Sequence, residues 1–172
     1  MKDFNTVGLF YAQSQGRSEE SALAIVQAFN ENCIKLISVE GCAQDEMQNY
    51  SKLIIGVQSY ENGELQDDWE AYLPHMLNID FTSKIVSFFG LDDQYKYADT
   101  FLDAMGTLYE VVIQGGGTVV GSWPTDTYRF DTSKAVVQNE FIGLALDDVN
   151  QYEQSKERIN AWVEQIRPYY IP

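Results

Sequence analysis

Short apolar runs of strand character alternate along this chain with segments of helical period, and that alternation limits the fold more than any other feature. Asn5 to Tyr11, Ile34 to Val39, Leu53 to Val57, Ile85 to Phe89 and Thr118 to Val120 are the strand candidates. Several are unbroken apolar runs, the pattern of strands buried on both faces. Between them, Ser18 to Asn30 sets Ala22, Ile25, Val26 and Phe29 on one stripe. Asp67 to Leu77 does the same with Trp69, Tyr72, Leu73 and Met76, and Phe101 to Ile113 with Phe101, Met105, Leu108 and Val112. A last helix, about Glu153 to Ile166, carries Ile159, Trp162 and Ile166. The pattern predicts an α/β fold: a doubly wound, five-stranded parallel sheet with helices on both faces. Its 172 residues suit a single domain, which at that size buries roughly two-thirds of its unfolded surface and needs no disulfide staples. In such a sheet ligands bind outside the carboxyl ends of the strands, where strand order reverses. The chemistry is therefore expected in the loops after Tyr11, Val57 and Phe89.

Charge and cysteine content narrow the partners. Eleven basic against 26 acidic residues leave a net charge of -15. A field of that sign repels nucleic-acid phosphates and anionic lipids and favours basic protein surfaces. The acidic pairs Asp45-Glu46, Asp67-Asp68, Asp92-Asp93 and Asp147-Asp148 are dispersed, as on a folded surface, where they serve solubility or docking. Cys33 and Cys42 lack both the number for a disulfide framework and the spacing of a zinc site, so free thiols in a reducing cytoplasm are expected. The apolar stretch at the N-terminus is too short for a signal peptide, and no run reaches membrane-spanning length. A protein in solution in the cytoplasm follows as the expectation.

The loops carry motifs of their own. Gly56 to Trp69 reads GVQSYENGELQDDW, and Phe89 to Gln94 reads FGLDDQ. Tyr97 to Gly106 reads YADTFLDAMG, and Val120 to Asp126 reads VGSWPTD. With Phe141 to Asp147 and Asn150-Gln151 they resemble the flavodoxins, in the right order and spacing over essentially the whole chain. The segment from about Trp123 to Phe141 resembles the insertion that splits the last strand in long-chain flavodoxins. The resemblance implies one flavodoxin-like domain over 1–172, with the insertion at about 123–141. It also implies non-covalent FMN, used to carry single electrons at low potential between redox protein partners with basic docking surfaces. By position, the cofactor-binding residues it implies are Gln13, Ser14, Gln15, Gly16, Arg17 and Ser18 in the first loop. In the middle loop they are Gln58, Ser59, Tyr60, Glu61, Asn62 and Gly63, and in the third Asp92, Asp93, Tyr97 and Thr100.

Tyr97 matches the tyrosine on which the flavin ring stacks in that family, and Tyr60 stands where a tryptophan usually covers the other face. Two aromatics around a planar ring bury apolar area and fix its orientation, and Tyr does so with less surface than Trp. In the family a peptide of the middle loop turns so that its carbonyl meets the reduced ring's N5-H. Here that is the Glu61-Asn62 peptide, for which Asn62 tolerates positive φ and Gly63 supplies backbone freedom.

Two positions depart from the family. Asp92 replaces a usual glycine. At about 7 Å from the ring its charge would oppose an added electron by about 2 kcal/mol, lowering the potential by somewhat under ~100 mV; solvent shrinks that, and the side chain could instead disturb a backbone suited to glycine. The first loop, Gln13-Ser14-Gln15-Gly16-Arg17-Ser18, replaces two of the hydroxyls that usually wrap the FMN phosphate at a helix N-terminus. Each lost hydrogen bond to a charged group is worth about 1.5 to 3 kcal/mol, hence roughly two to four orders of magnitude in affinity for two. Arg17 offers a compensating charge and donor fork. The Gln13 and Gln15 amides either donate to the phosphate or fill its place, and the plain alternative is a helix capped by Ser18 with Arg17 facing solvent.

Three function classes follow: an electron carrier without a substrate pocket, a divergent relative with weakened or altered flavin binding that serves as a binding module, and an FMN-dependent reductase. The acidic chain with its insertion favours a monomeric carrier rather than the reductase. The remaining signals are structural: His75 follows Pro74 near a helix end, Gly115 to Gly117 cap a helix, Trp69 and Trp162 lie on apolar stripes, and Trp123 is packing or partner surface.

Overall fold

A computed structural model describes residues 5–172. Apolar side chains alternate along the central strands, and each set has its own layer to enter. From β1 (Val7–Tyr11), Phe10 points into one core while Val7, Leu9 and Tyr11 point into the other. In β3 (Lys52–Gln58), Leu53, Ile55 and Val57 share the first core and Ile54 the second. In β4 (Ile85–Leu91), Val86 and Phe88 oppose Phe89 and Leu91 in the same way. Strands buried on both faces need helices on both faces. Helices α1 (Ser18–Phe29) and α4 (Tyr152–Tyr170) cover one side, and α2 (Asp67–Met76) and α3 (Asp103–Gln114) the other.

The strands run parallel in the order β2-β1-β3-β4-β5, with β2 at Ile34–Ser38 and β5 at Thr118–Val119. This is the doubly wound sheet expected from the sequence, and the order reverses beside β1. The fifth position is shared. β5 pairs with the start of β4 (Ile85↔Thr118), and a later strand pairs with its end (Phe89↔Leu144). Between them the chain forms β6 (Trp123–Pro124), β7 (Val136–Val137) and β8 (Glu140–Phe141), a small antiparallel sheet in the order β6-β8-β7. It then re-enters as β9 (Leu144–Leu146). At the re-entry Gly143 lies so close to β4 that a Cβ would fall 2.2 Å from the Phe88 carbonyl oxygen. No other residue fits there without moving the sheet.

The segment between β5 and β9 is anchored by aromatic contacts and polar ties. Tyr128 packs edge-on against Phe141, with ring centroids 5.2 Å apart, and donates from its hydroxyl to the Ala145 carbonyl at 2.6 Å. Trp123 donates to the same hydroxyl at 2.9 Å, which assigns it to packing. The guanidinium of Arg158 lies 4.4 Å from the Tyr128 ring centroid and bonds Gln151 and Gln154. Trp69 and Trp162 are fully buried, as their apolar stripes predict.

Candidate functional site

Four loops meet at the carboxyl ends of the parallel strands. They enclose a cleft of about 500 Å³, within the range of about 300 to 1,000 Å³ usual for small-ligand and cofactor sites. Of the residues expected from sequence, Gly16, Arg17, Gln58, Ser59, Asp92, Asp93 and Tyr97 line it. Leu91, Lys96, Asp148 and Val149 join them. The last two belong to the loop after β9, a strand only three residues long, so its carboxyl end carries little sequence signal. The acidic pair Asp147-Asp148 was visible as charge, without a position.

The first loop is pinned to the N-terminus of α2. The Asp68 carboxylate accepts the Gln13 and Ser14 amides at 2.8 and 2.9 Å. The Gln15 side chain exchanges hydrogen bonds with Asp67, donating at 3.3 Å and accepting from its amide at 3.2 Å. The Gln13 side chain turns to the Tyr11 hydroxyl at 3.4 Å. Ser14 accepts the Asp68 amide at its hydroxyl. Both glutamine amides are thus committed to protein partners and stand outside the cleft wall. Ser18 differs from its expected capping role. The N-cap of α1 is Arg17, and Ser18 is buried in the first turn with its hydroxyl toward Gln66 at 3.4 Å.

Gln66, which sequence reasoning passed over, is the hub of this region. It is buried, donates to the Ser14 and Gln15 carbonyls at 2.6 and 2.7 Å, and accepts the Gln58 amide at 2.8 Å. With Ser18 as a further donor, all four of its hydrogen-bonding positions are used. Gln58 in turn accepts the Arg17 amide at 2.7 Å. Its side chain fills the space over Gly16, whose φ of +107° and absent Cβ permit that approach. Gln15 precedes it at φ +52°, so two successive residues of this turn are left-handed. Such a turn ahead of a helix N-terminus sets backbone N–H groups toward an anion.

The middle loop is a tight hairpin. The Tyr60 and Glu64 backbones exchange N–H···O bonds at 2.8 Å, and the left-handed residues are Glu61 (φ +44°) and Gly63 (φ +84°), rather than Asn62. The Glu61 carbonyl accepts the Gly63 amide at 2.9 Å. Tyr60 is 37% exposed, and Gly63 packs beside Thr100 and Asp103, where a Cβ would lie 2.6 Å from that of Asp103. Tyr60, Glu61, Asn62, Gly63 and Thr100 therefore stand together at a rim of the site and are not part of its wall.

The third loop carries the charges. Asp93 accepts the Lys96 amide at 2.9 Å and the Asn150 side chain at 2.8 Å. Burial pulls its carboxyl upward, but these bonds, with the Tyr95 amide and the Lys96 charge, hold it below the ordinary carboxylate value. Asp92 is 6% exposed, accepts the Leu102 and Asp93 amides at 2.8 Å each, and is pushed up to about 7 by burial. Leu102 is itself left-handed, at φ +61°, so the aspartate caps the bend that opens α3. Asp148 is raised by burial despite accepting from the Ser155 hydroxyl. Tyr97 is half-buried beside the cleft, with the Lys96 ammonium 5.2 Å from its ring centroid.

A doubly wound parallel sheet with a cleft at its switch point, a helix N-terminus on one wall and a tyrosine on another defines a nucleotide-type binding domain. The flavodoxin family model matches residues 9–162. The flavodoxin of Picosynechococcus sp. is 42% identical over 165 residues, covering 95% of this chain and 97% of that protein. The flavodoxin of Haemophilus influenzae is 38% identical over 161 residues, covering 93% and 92%. A crystal structure of Fusobacterium nucleatum flavodoxin bound to flavin mononucleotide superposes with a TM-score of 0.90 at 30% identity, covering 95% of this chain and 98% of that one. The chain belongs to the flavodoxin family.

Proposed function

We propose that this protein is a single-domain carrier that holds FMN non-covalently in the cleft and passes single electrons between redox proteins. The observation that carries the reading is the convergence of Tyr97, the Gly16-Arg17 turn and the Asp92-Asp93 loop on one cleft at the switch point of a flavodoxin fold.

The donor set fits the cofactor. FMN, when bound, supplies reversible one-electron chemistry. The turn would hold its phosphate through the Gln15, Gly16 and Ser18 backbone N–H groups at the head of α1, the Arg17 amide being taken by Gln58, assisted by the largely exposed Arg17 guanidinium, which reaches Glu20 only at 4.0 Å. Tyr97 would stack on the ring, the exposed Lys96 side chain swinging off it. Tyr60 at the rim would close the other side, and the Glu61 carbonyl would exchange its bond to Gly63 for one to the ring.

Partners of basic surface suit the net charge of -15. The unpaired thiols of Cys33 and Cys42 suit a reducing cytoplasm, and among the described residues no helix is long and apolar enough to cross a membrane. The acidic surface also supports a monomer.

The test is a titration of cofactor-free protein with FMN and, separately, riboflavin, followed by flavin fluorescence. FMN is expected to bind at least about a hundredfold tighter than riboflavin, the equivalent of one or two charge-assisted hydrogen bonds. Equal binding of the two, or none, would sink the reading and make the chain a relative with an altered phosphate site.

A further inference from the structure

Asp92 is a buried carboxyl in the wall of the cleft, and carrying electrons gives such a group something to do. We propose that Asp92 is a proton partner of electron transfer: the reduced ring carries its own proton at N5, and when a further electron makes the bound flavin negatively charged, the Asp92 carboxylate takes a proton from water, and it gives that proton back when the electron leaves. The inference rests on the FMN reading above. That step consumes one electron, delivered by a reduced partner protein, and one proton from solvent, so the cleft gains no net charge.

The geometry supports this role. Asp92 follows β4 at the centre of the wall and is 6% exposed. Its oxygens accept the amides of Leu102 and Asp93 at 2.8 Å and are also hydrogen-bonded by the Ser59 side chain. The charges around it come from every element that bounds the cleft. Arg17 stands on the first loop, Asp93 and Lys96 on its own, and Asp148 on the loop after β9. Asp103, in the first turn of α3, is turned to the Lys134 amide at 2.7 Å. Of these charges only Asp93 acts measurably on Asp92, and it raises the carboxyl in the same direction as burial. Burial raises the carboxyl to about 7, against the pull of its two amides. An added negative charge in the same cleft favours its neutral form further. Asp93 is unsuited to the role, since its donors keep it ionised. Asp148 is raised by burial too, but it is only half-buried, so burial acts on it less than on Asp92.

The experiment measures the midpoint potential for the second electron in FMN-loaded parent, Asp92→Asn and Asp148→Asn by spectroelectrochemistry from about pH 5.5 to about 8.5, a window spanning a carboxyl raised to neutrality. The parent and Asp92→Asn are expected to agree at the acid end. The parent should then fall below the variant as pH rises, at up to about 59 mV per pH unit, the one-electron equivalent of a tenfold change in proton activity. Asp148→Asn should keep the parental slope. A pH-independent difference between parent and Asp92→Asn, or loss of the slope in Asp148→Asn instead, overturns the proposal. Should Asp92→Asn fail to hold flavin, carbon-13 titration of the Asp92 carboxyl in the parent decides the matter: its pKa must be higher with reduced than with oxidised flavin, and an unmoved pKa overturns the proposal. Failure of the parent to bind FMN is seen before any potential is measured and is a failure of the functional reading, whereas tight binding with an unchanged slope removes only Asp92.

Discussion

At the scale of single residues, the Asp92 carboxyl also links the folded state to pH without any ligand. Its native pKa of about 7 lies above the ~3.9 of an unfolded aspartate, so between those values the folded protein binds more protons than the unfolded one. The contribution of Asp92 to stability is therefore present at the acid end and is lost as pH rises through that window. Asp92→Asn should gain stability relative to the parent between about pH 5 and about pH 8, read as the difference in Tm of the cofactor-free proteins. A difference that stays constant with pH refutes the linkage. The sequence exposed Asp92 as a departure, because it stands in a motif where glycine is usual. Its partner was hidden: that the carboxylate reaches Leu102, ten residues on, depends on the left-handed turn at Leu102, which no spacing announces. Gln13 and Gln15 carry the same lesson. As letters they did not show which groups their amides meet in the fold, and these are Tyr11 and Asp67.

At the scale of elements, Gln66 holds the first loop, the end of β3 and the start of α1 in one arrangement. Gln66→Leu keeps the volume but strips partners from the Gln58 amide and from the Ser14 and Gln15 carbonyls. A buried group left unpaired costs about 1–3 kcal/mol, and the half-buried Ser14 and Gln58 and the exposed Gln15 cost less, so we expect a total loss of about 1–3 kcal/mol in urea unfolding of the cofactor-free protein, together with weakened FMN binding. A cost below about 1 kcal/mol would show that water replaces the amide. The strands β1 to β4 and all four helices were legible because burial on defined faces writes a period into the sequence. The ends were less so. Helix α4 runs to Tyr170, past Ile166 and through Pro168, because the Tyr170 hydroxyl reaches the Leu53 carbonyl and the Ser87 hydroxyl at 2.8 Å. That tertiary anchor outweighs the break a late proline suggests. The two-residue strands of the insertion carry no period at all.

At the scale of the whole molecule, charge sets how partners arrive. With a net charge of -15, association with a basic redox partner should be steered, so the second-order rate of electron transfer should fall at least about tenfold as ionic strength rises from ~0.01 to ~0.5 M. Stopped-flow measurement with a basic reductase checks this, and a flat profile removes steering from the account.

The shared fifth position of the sheet has a further consequence. A long, flat outer strand offers a template on which another chain can pair. Here the border of β4 is covered by two residues of β5 and three of β9, separated by a segment that leaves the sheet and returns through Gly143. Neither piece is long enough to recruit a neighbouring chain, and the surface charge keeps neighbours apart. The break in the strand order thus leaves no long outer strand on that border for a neighbouring chain to pair with.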